Sequence, residues 1–221
     1  MSPGRSNMPR LSAALAGIPA GIQPYGPWSG RRQLFVKFAG EAETATIYTA
    51  DGLREDVMRL TKRSRYHSIA IVGRDALAEH EFLATALSSA QPMPVMLDHD
   101  GQRPDALGGL LSTLELVQVT MDGTEGAAAL ERVMDTLTCA MKKHVAHAAV
   151  LVPAEGSSDA QLLRIVEQIH VASETAEIVV HPVLERVEER DRRWTLWLEQ
   201  AMGVHGDVRV LPRPNSGTPA R

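Results

Sequence analysis

Short apolar runs alternate with helix-period segments along nearly the whole chain, and this alternation restricts the available folds more than any other feature. The apolar runs fall at residues 33–38, 68–72, 95–98, 116–121, 148–152, 178–181 and 208–211. Several are bounded by Gly, Pro or Asp, the pattern of parallel strands covered on both faces. Between them, Leu53, Val57 and Leu60 share one helical face. Phe82, Leu83, Ala86 and Leu87 share a second, and Leu162, Leu163, Val166 and Ile169 a third. Ser158 followed by Gln161 predicts a capping box opening that third helix. Segments 125–142 and 189–201 complete the set, the latter turning Trp194, Leu198 and Ala201 toward a core. Strand–helix alternation repeated about six times predicts an α/β fold. An open doubly wound sheet and a partial (β/α) barrel both satisfy it.

The chain has 221 residues, 44% of them apolar, which supports one substantial core. Residues 21–215 are read as a single domain. Residues 1–20 are read as a flexible N-terminal segment and 216–221 as a C-terminal tail, because Gly, Pro, Ser and Asn gather there without periodicity. A net charge of −4 and 4% aromatics provide neither a basic field nor stacking platforms, so no nucleic-acid partner is expected. No apolar run approaches the roughly 20 residues of a membrane helix, and a cytoplasmic protein is expected. Cys139 is the single cysteine, which leaves no internal disulfide and no multi-cysteine metal or cluster site.

Several residues invite chemistry. Asp98, His99 and Asp100 lie at a strand end and would suit a hard metal or acid–base work, although adjacent strand residues point to opposite faces. His144 and His147 are three apart but straddle a helix-to-strand junction, which favours ordinary loop and strand histidines. His181 precedes Pro182 and is read as a core histidine before a catalytic one. Cys139 lies inside a helical segment and is read as a small buried hydrophobe. The alternating charges of residues 185–193 predict a solvated helix face.

A series of segments matches one known family in order along the chain. Residues 30–40 (GRRQLFVKFAG) resemble a G-R-x-x-x-F-V-R-F-A-G strand, and residues 68–77 (SIAIVGRDAL) resemble S-x-S-x-T-G-G-E-P-L. Residues 97–101 (LDHDG) with 104–107 (PDAL) resemble L-E-T-N-G followed by P-E-A-L. Residues 179–182 (VVHP) and 208–212 (VRVLP) resemble the closing L-Q-P and V-R-x-x-P-Q strands. The chain thus resembles the 7-carboxy-7-deazaguanine synthases of the radical S-adenosylmethionine (SAM) superfamily. The resemblance implies an incomplete (β/α)6 TIM-like barrel of the radical SAM type, and a homodimer.

The scaffold matches while the chemical residues do not. The C-x3-C-x2-C cluster triplet falls on Glu41, Ala45 and Tyr48, which cannot replace three soft thiolates. The Asp-Thr pair that follows it falls on Thr49 and Ala50, without the hydroxyl the resemblance would give to magnesium. The G-G-E-P loop for the SAM amino group reads Gly73, Arg74, Asp75, Ala76, and the substrate loop Q-G-E-G reads Gln23, Pro24, Tyr25, Gly26. The substrate-facing arginine is Lys37, a glutamine is replaced by His181, and the last polar contacts fall on Pro212, Arg213 and Asn215. We therefore expect no [4Fe–4S] cluster and no SAM binding, with a non-catalytic binding or assembly module as the first reading. Its guest would be a protein partner or a small anion near Arg74 and Lys37, with Asp75 free to pair with Arg74. The alternative is a cluster-independent enzyme that reuses a cavity lined by Gln23, Tyr25, Lys37, Asp98, His99, His181 and Arg213 for a small anionic or heterocyclic substrate. The lyase activity of the family would require ligands this chain lacks.

Overall fold

The computed structural model describes residues 11–88, 93–154, 156–182 and 187–211, with backbone alone for 187–191. Ten strands form one sheet: β1 (Ser12–Gly17), β2 (Ala20–Ile22), β3 (Arg32–Phe38), β4 (Thr46–Thr49), β5 (Ser68–Gly73), β6 (Val95–His99), β7 (Leu116–Met121), β8 (Ala146–Leu151), β9 (Glu177–Val180) and β10 (Val208–Val210). The helices are α1 (Ala50–Arg63), α2 (His80–Ala86), α3 (Pro104–Leu107), α4 (Ala127–Lys142), α5 (Asp159–Ala172) and α6 (Val187–Val204). All seven apolar runs are strands, and each helical face lies on a helix.

Spatial order decides between doubly wound and sequential topologies. The sheet runs β10-β9-β8-β7-β6-β5-β3-β1-β4, with β2 also on β3. From β3 to β10 every pairing on this path is parallel, while β1, β2 and β4 pair antiparallel. A doubly wound sheet reverses its order at a switch point; here the parallel strands follow chain order throughout. Crossovers of one hand then place every helix on the same face. The cores agree: Val36, Ile71, Leu97 and Val117 pack with Leu53, Val57, Phe82 and Leu83. Farther along, Val119, Leu151 and Val180 pack with Leu137, Val166 and Trp197.

Among the described residues the opposite face carries no helix and is nevertheless buried. Ala70, Met96, Leu116 and Ala148 cluster there with Trp28 and Phe35. Trp28 belongs to the connection between β2 and β3, residues 23–31, which folds back over the sheet. Gln23 N donates to Arg31 O at 2.9 Å and Gly30 N to Gln23 O at 2.8 Å, closing the base of this loop.

Three expectations require correction. The segment 1–20 contains β1 and the start of β2: Ala13 and Leu15 alternate inward between exposed neighbours, a period-2 pattern that its Gly and Pro content concealed. β4 is also an additional strand, paired to β1. The capping box is half formed, since Ser158 Oγ accepts from Gln161 N at 3.2 Å, but the Gln161 side chain donates to Gly123 O instead of returning to the cap. No described helix is long and apolar enough to cross a membrane.

Candidate functional site

Parallel strands in chain order align their C-terminal ends along one edge, and the first of these, β3 and β5, open onto a cleft. Phe38 and Gly73 are register partners at the two strand ends. Beyond them the chain diverges into loops that enclose about 530 Å³, lined by Gly40, Glu41, Glu43, Ala45, Arg74, Asp75, Ala78 and Glu79 among others. Glu41 and Ala45 of the cluster match and Arg74 and Asp75 of the SAM-loop match thus converge here, whereas Tyr48 does not line the cleft. Its hydroxyl donates to Asp56 Oδ2 on α1 at 3.4 Å, and burial together with that carboxylate raises the phenol pKa. Thr49 is the N-cap of α1, accepting from Gly52 N at 3.1 Å.

The charges in the cleft are paired differently from the sequence reading. Arg74 Nη1 meets Glu41 Oε1 at 2.6 Å, Asp75 accepts from Arg103 Nε at 2.7 Å, and Lys37 Nζ bonds Glu43. Gly40 N also donates to Glu43 at 3.0 Å, and this backbone N–H, then Lys37, lowers the Glu43 pKa. The Arg74–Asp75 pairing is therefore not formed, because Asp75 adopts a left-handed conformation (φ 48°) and Arg103, the N-cap residue before α3, reaches it instead. Both cations proposed for an anion hold carboxylates in this structure. These pairs are solvent-exposed, and each contributes little stability.

A second polar group lies on the helix-free face. Thr120 Oγ1 donates to Asp98 Oδ1 at 2.8 Å, Gln23 Nε2 to Asp98 Oδ2 at 3.4 Å, and Gln118 Nε2 to Thr120 at 3.4 Å. Gly26 N donates to His181 Nε2 at 2.9 Å, so that nitrogen is unprotonated, and the Tyr25 ring sits edge-on to His181 at 5.4 Å. Gly26 is pressed onto the sheet: a Cβ there would lie 1.9 Å from Gln118 Oε1 and 3.0 Å from Val150. The protein's own loop occupies the space over these strands. Among the described residues Gln23 Oε1 and Gln118 Oε1 find no hydrogen-bond partner, though Gln23 is 1% and Gln118 0% exposed.

The structure thus joins Gln23, Tyr25, Asp98 and His181 in one group with Gly26 of the same loop match, and adds Gln118 and Thr120, which the sequence does not single out. It removes His99, whose side chain points to the helix-covered face because it follows Asp98 on the same strand. There its Nδ1 accepts from Gly101 N at 3.2 Å. Lys37, between Val36 and Phe38 of the helix-side core, shares the helix-free side with Phe35, but at the strand end it bonds Glu43 of the cleft rather than this group. Arg213, like Pro212 and Asn215, lies outside the described residues, as do side chains 185–191. His144 takes a left-handed conformation after α4 (φ 55°). His147 donates from Nδ1 to Val145 O at 2.8 Å and accepts from Ser173 Oγ at 2.6 Å. That serine–histidine pair has nucleophile-and-base spacing, but both residues are buried, so it serves packing. Cys139 is half-buried against the core. No group of three or more His, Cys, Asp or Glu among the described residues is placed to hold a metal.

Enclosure raises the Asp98 carboxyl pKa, and its hydrogen bonds to Thr120, Gln118 and Gln23 offset part of that. With a folded pKa above the unfolded 3.8, Asp98 costs stability as pH rises through this interval and beyond. Asp98→Asn removes the buried charge and keeps an acceptor for Thr120, and its new NH2 meets Gln23 Oε1 once the Gln23 amide, whose Nε2 faces Asp98 in the wild type, turns over. The variant is expected to be more stable by about 1 kcal/mol at pH 7, with the gain shrinking toward pH 4. Thermal melts across that range check it; a gain that grows on acidification would contradict the assignment.

No known family profile and no curated protein matches the chain. Among solved structures, a "putative fructose-1,6-biphosphate aldolase from Coccidioides immitis" is similar at 15% identity, covering 75% of this chain and 74% of that one, with a TM-score of 0.33. At that TM-score the likeness carries no argument about fold or chemistry.

Proposed function

We propose that the chain is a cluster-free relative of the 7-carboxy-7-deazaguanine synthases, a cytoplasmic homodimer that keeps an incomplete (β/α)6 barrel as a binding or assembly module and performs no radical chemistry. The reading rests chiefly on the occupied interior: residues 23–31 fill the helix-free face where a substrate would have to lie, with Gly26 seated on Gln118 and Val150. Sequential parallel strands with helices on one face suit such a barrel. So does the reach of the loop. Five strand spacings separate β3 from β9, about 24 Å on a flat sheet, yet Gly26, three residues beyond the Arg31-anchored Gln23, bonds His181. The Glu41–Arg74 pair in the cleft also supports the loss of the cluster, because a hard oxygen stands where one thiolate would be required and is held by a guanidinium from the SAM-loop match.

Anaerobic reconstitution with iron and sulfide tests the proposal. We expect a colourless protein with no band near 400 nm after desalting, and no calorimetric response to SAM below about 1 mM. Stoichiometric iron, or a micromolar SAM dissociation constant, would overturn it. The enzyme alternative is favoured by one observation, the unpartnered amide oxygens of Gln23 and Gln118 beside Asp98. That group becomes accessible only if residues 23–31 lift.

A further inference from the structure

The overall charge of −4 conceals a local field of opposite sign. Residues 59–65 contain Arg59, Lys62, Arg63 and Arg65 and no carboxylate. Arg32 joins them from β3, donating to Arg65 O at 3.3 Å with its guanidinium 4.7 Å over the Tyr66 ring. Arg59 pairs with Asp56 at 2.8 Å, whereas Lys62, Arg63 and Arg65 form no ion pair with any described residue. Lys62 and Arg63 suit the C-terminal dipole of α1, but that leaves Arg65 and Arg32 unexplained. Alongside lies a groove of about 550 Å³ lined by Met58, Met93, Tyr66, Thr61, Lys62 and Arg65. Met58 is 43% exposed.

We propose that this groove docks an acidic segment of a partner protein through one bulky apolar side chain seated on Met58 and Met93. Cations along the groove call for carboxylates, and flexible thioethers accommodate an apolar anchor. Nucleic acid fits less well, since Arg32 already covers a face of Tyr66 and a long polyanion would run onto the acidic remainder of the surface. Residues 1–10 and 212–221 contain four arginines and no Asp or Glu, so neither segment complements the groove. The groove lies at the N-terminal ends of β5 and β6, the end of the sheet opposite the cleft. The inference therefore goes beyond the reading of the cleft and does not depend on it.

Fluorescence polarisation with a labelled synthetic peptide, Glu-Asp-Glu-Leu-Leu-Glu-Asp-Glu, provides the test. The same peptide with Ser-Ser at its centre and an oligothymidine of equal charge serve as comparisons. We expect saturable binding of the leucine peptide at least about ten-fold tighter than either comparison, weakened ten-fold or more by Lys62→Glu with Arg65→Glu and also by Met58→Ser, all with unchanged melting temperature. Equal binding of the two peptides, tighter binding of the oligonucleotide, or wild-type binding by the charge-reversed variant would each overturn the proposal.

Discussion

Gly73→Ala is expected to lower the unfolding free energy by about 4 kcal/mol, a large share of the stability of a single domain. At φ +104° an L-residue is strained, which costs about 1–3 kcal/mol. A Cβ would also stand 2.4 Å from Phe38 O and 2.9 Å from Phe38 N. Those atoms are backbone of the neighbouring strand and cannot swing aside, so β3 and β5 must separate locally, adding about 1–3 kcal/mol. Gly30→Ala provides the reference, because Gly30 also has positive φ (79°) but open space around it. Urea unfolding of both variants distinguishes the causes: if Gly73→Ala is as mild as Gly30→Ala, the close approach has no energetic weight. The glycine match to a SAM-binding loop at Gly73 thus has a sufficient cause in strand packing, without any ligand.

Acidification from pH 7 to 4 is expected to remove about 3 kcal/mol through His99 alone. Burial lowers its folded pKa from 6.5 to about 4, against a smaller opposing pull from Asp100. Below pH 6.5 the unfolded chain binds a proton that the folded protein refuses, so stability falls by about 1.4 kcal/mol per pH unit until about pH 4, where both states are protonated. His99→Asn retains an acceptor for the Gly101 amide but does not titrate. His147 and His67, whose pKa values burial also lowers, and Asp98, with its opposite slope, contribute equally to both proteins. Denaturation midpoints at several pH values should therefore give a wild-type-minus-variant difference that declines between pH 6.5 and 4. Parallel curves would mean that His99 is hydrated in the folded state.

The strand and helix positions were legible because burial imposes a period on the sequence: Val117, Val119 and Met121 alternate along residues 116–121, and β7 occupies those same residues. Sheet order was not legible, since a helix covers a strand identically in a doubly wound and a sequential sheet. β1 was missed for a local reason, its two inward residues, Ala13 and Leu15, being too few for a pattern beside Gly17 and Pro19. Within the site, Asp98 and His181 were legible as polar residues at strand ends. Gln118 and Thr120 were not, because an uncharged polar residue within a strand gives no sign of which face it lies on. The pairings Arg74–Glu41 and Asp75–Arg103 join residues 33 and 28 positions apart, and only the folded loops determine them.

The hydrogen bond from Gly26 to His181 spans 155 positions. Each parallel strand docks on its predecessor across a crossover of 20 to 35 residues, so every pairing must close its loop first, yet none approaches the separation of the Gly26 bond. The Gly26 bond is the exception, since it requires β9 to be in place before the loop from the start of the chain can attach to it. Its amide should consequently acquire protection from solvent exchange after the amides of β5 and β6 in a refolding experiment. In the native state the same amide reports whether the first and last parts of the chain are joined.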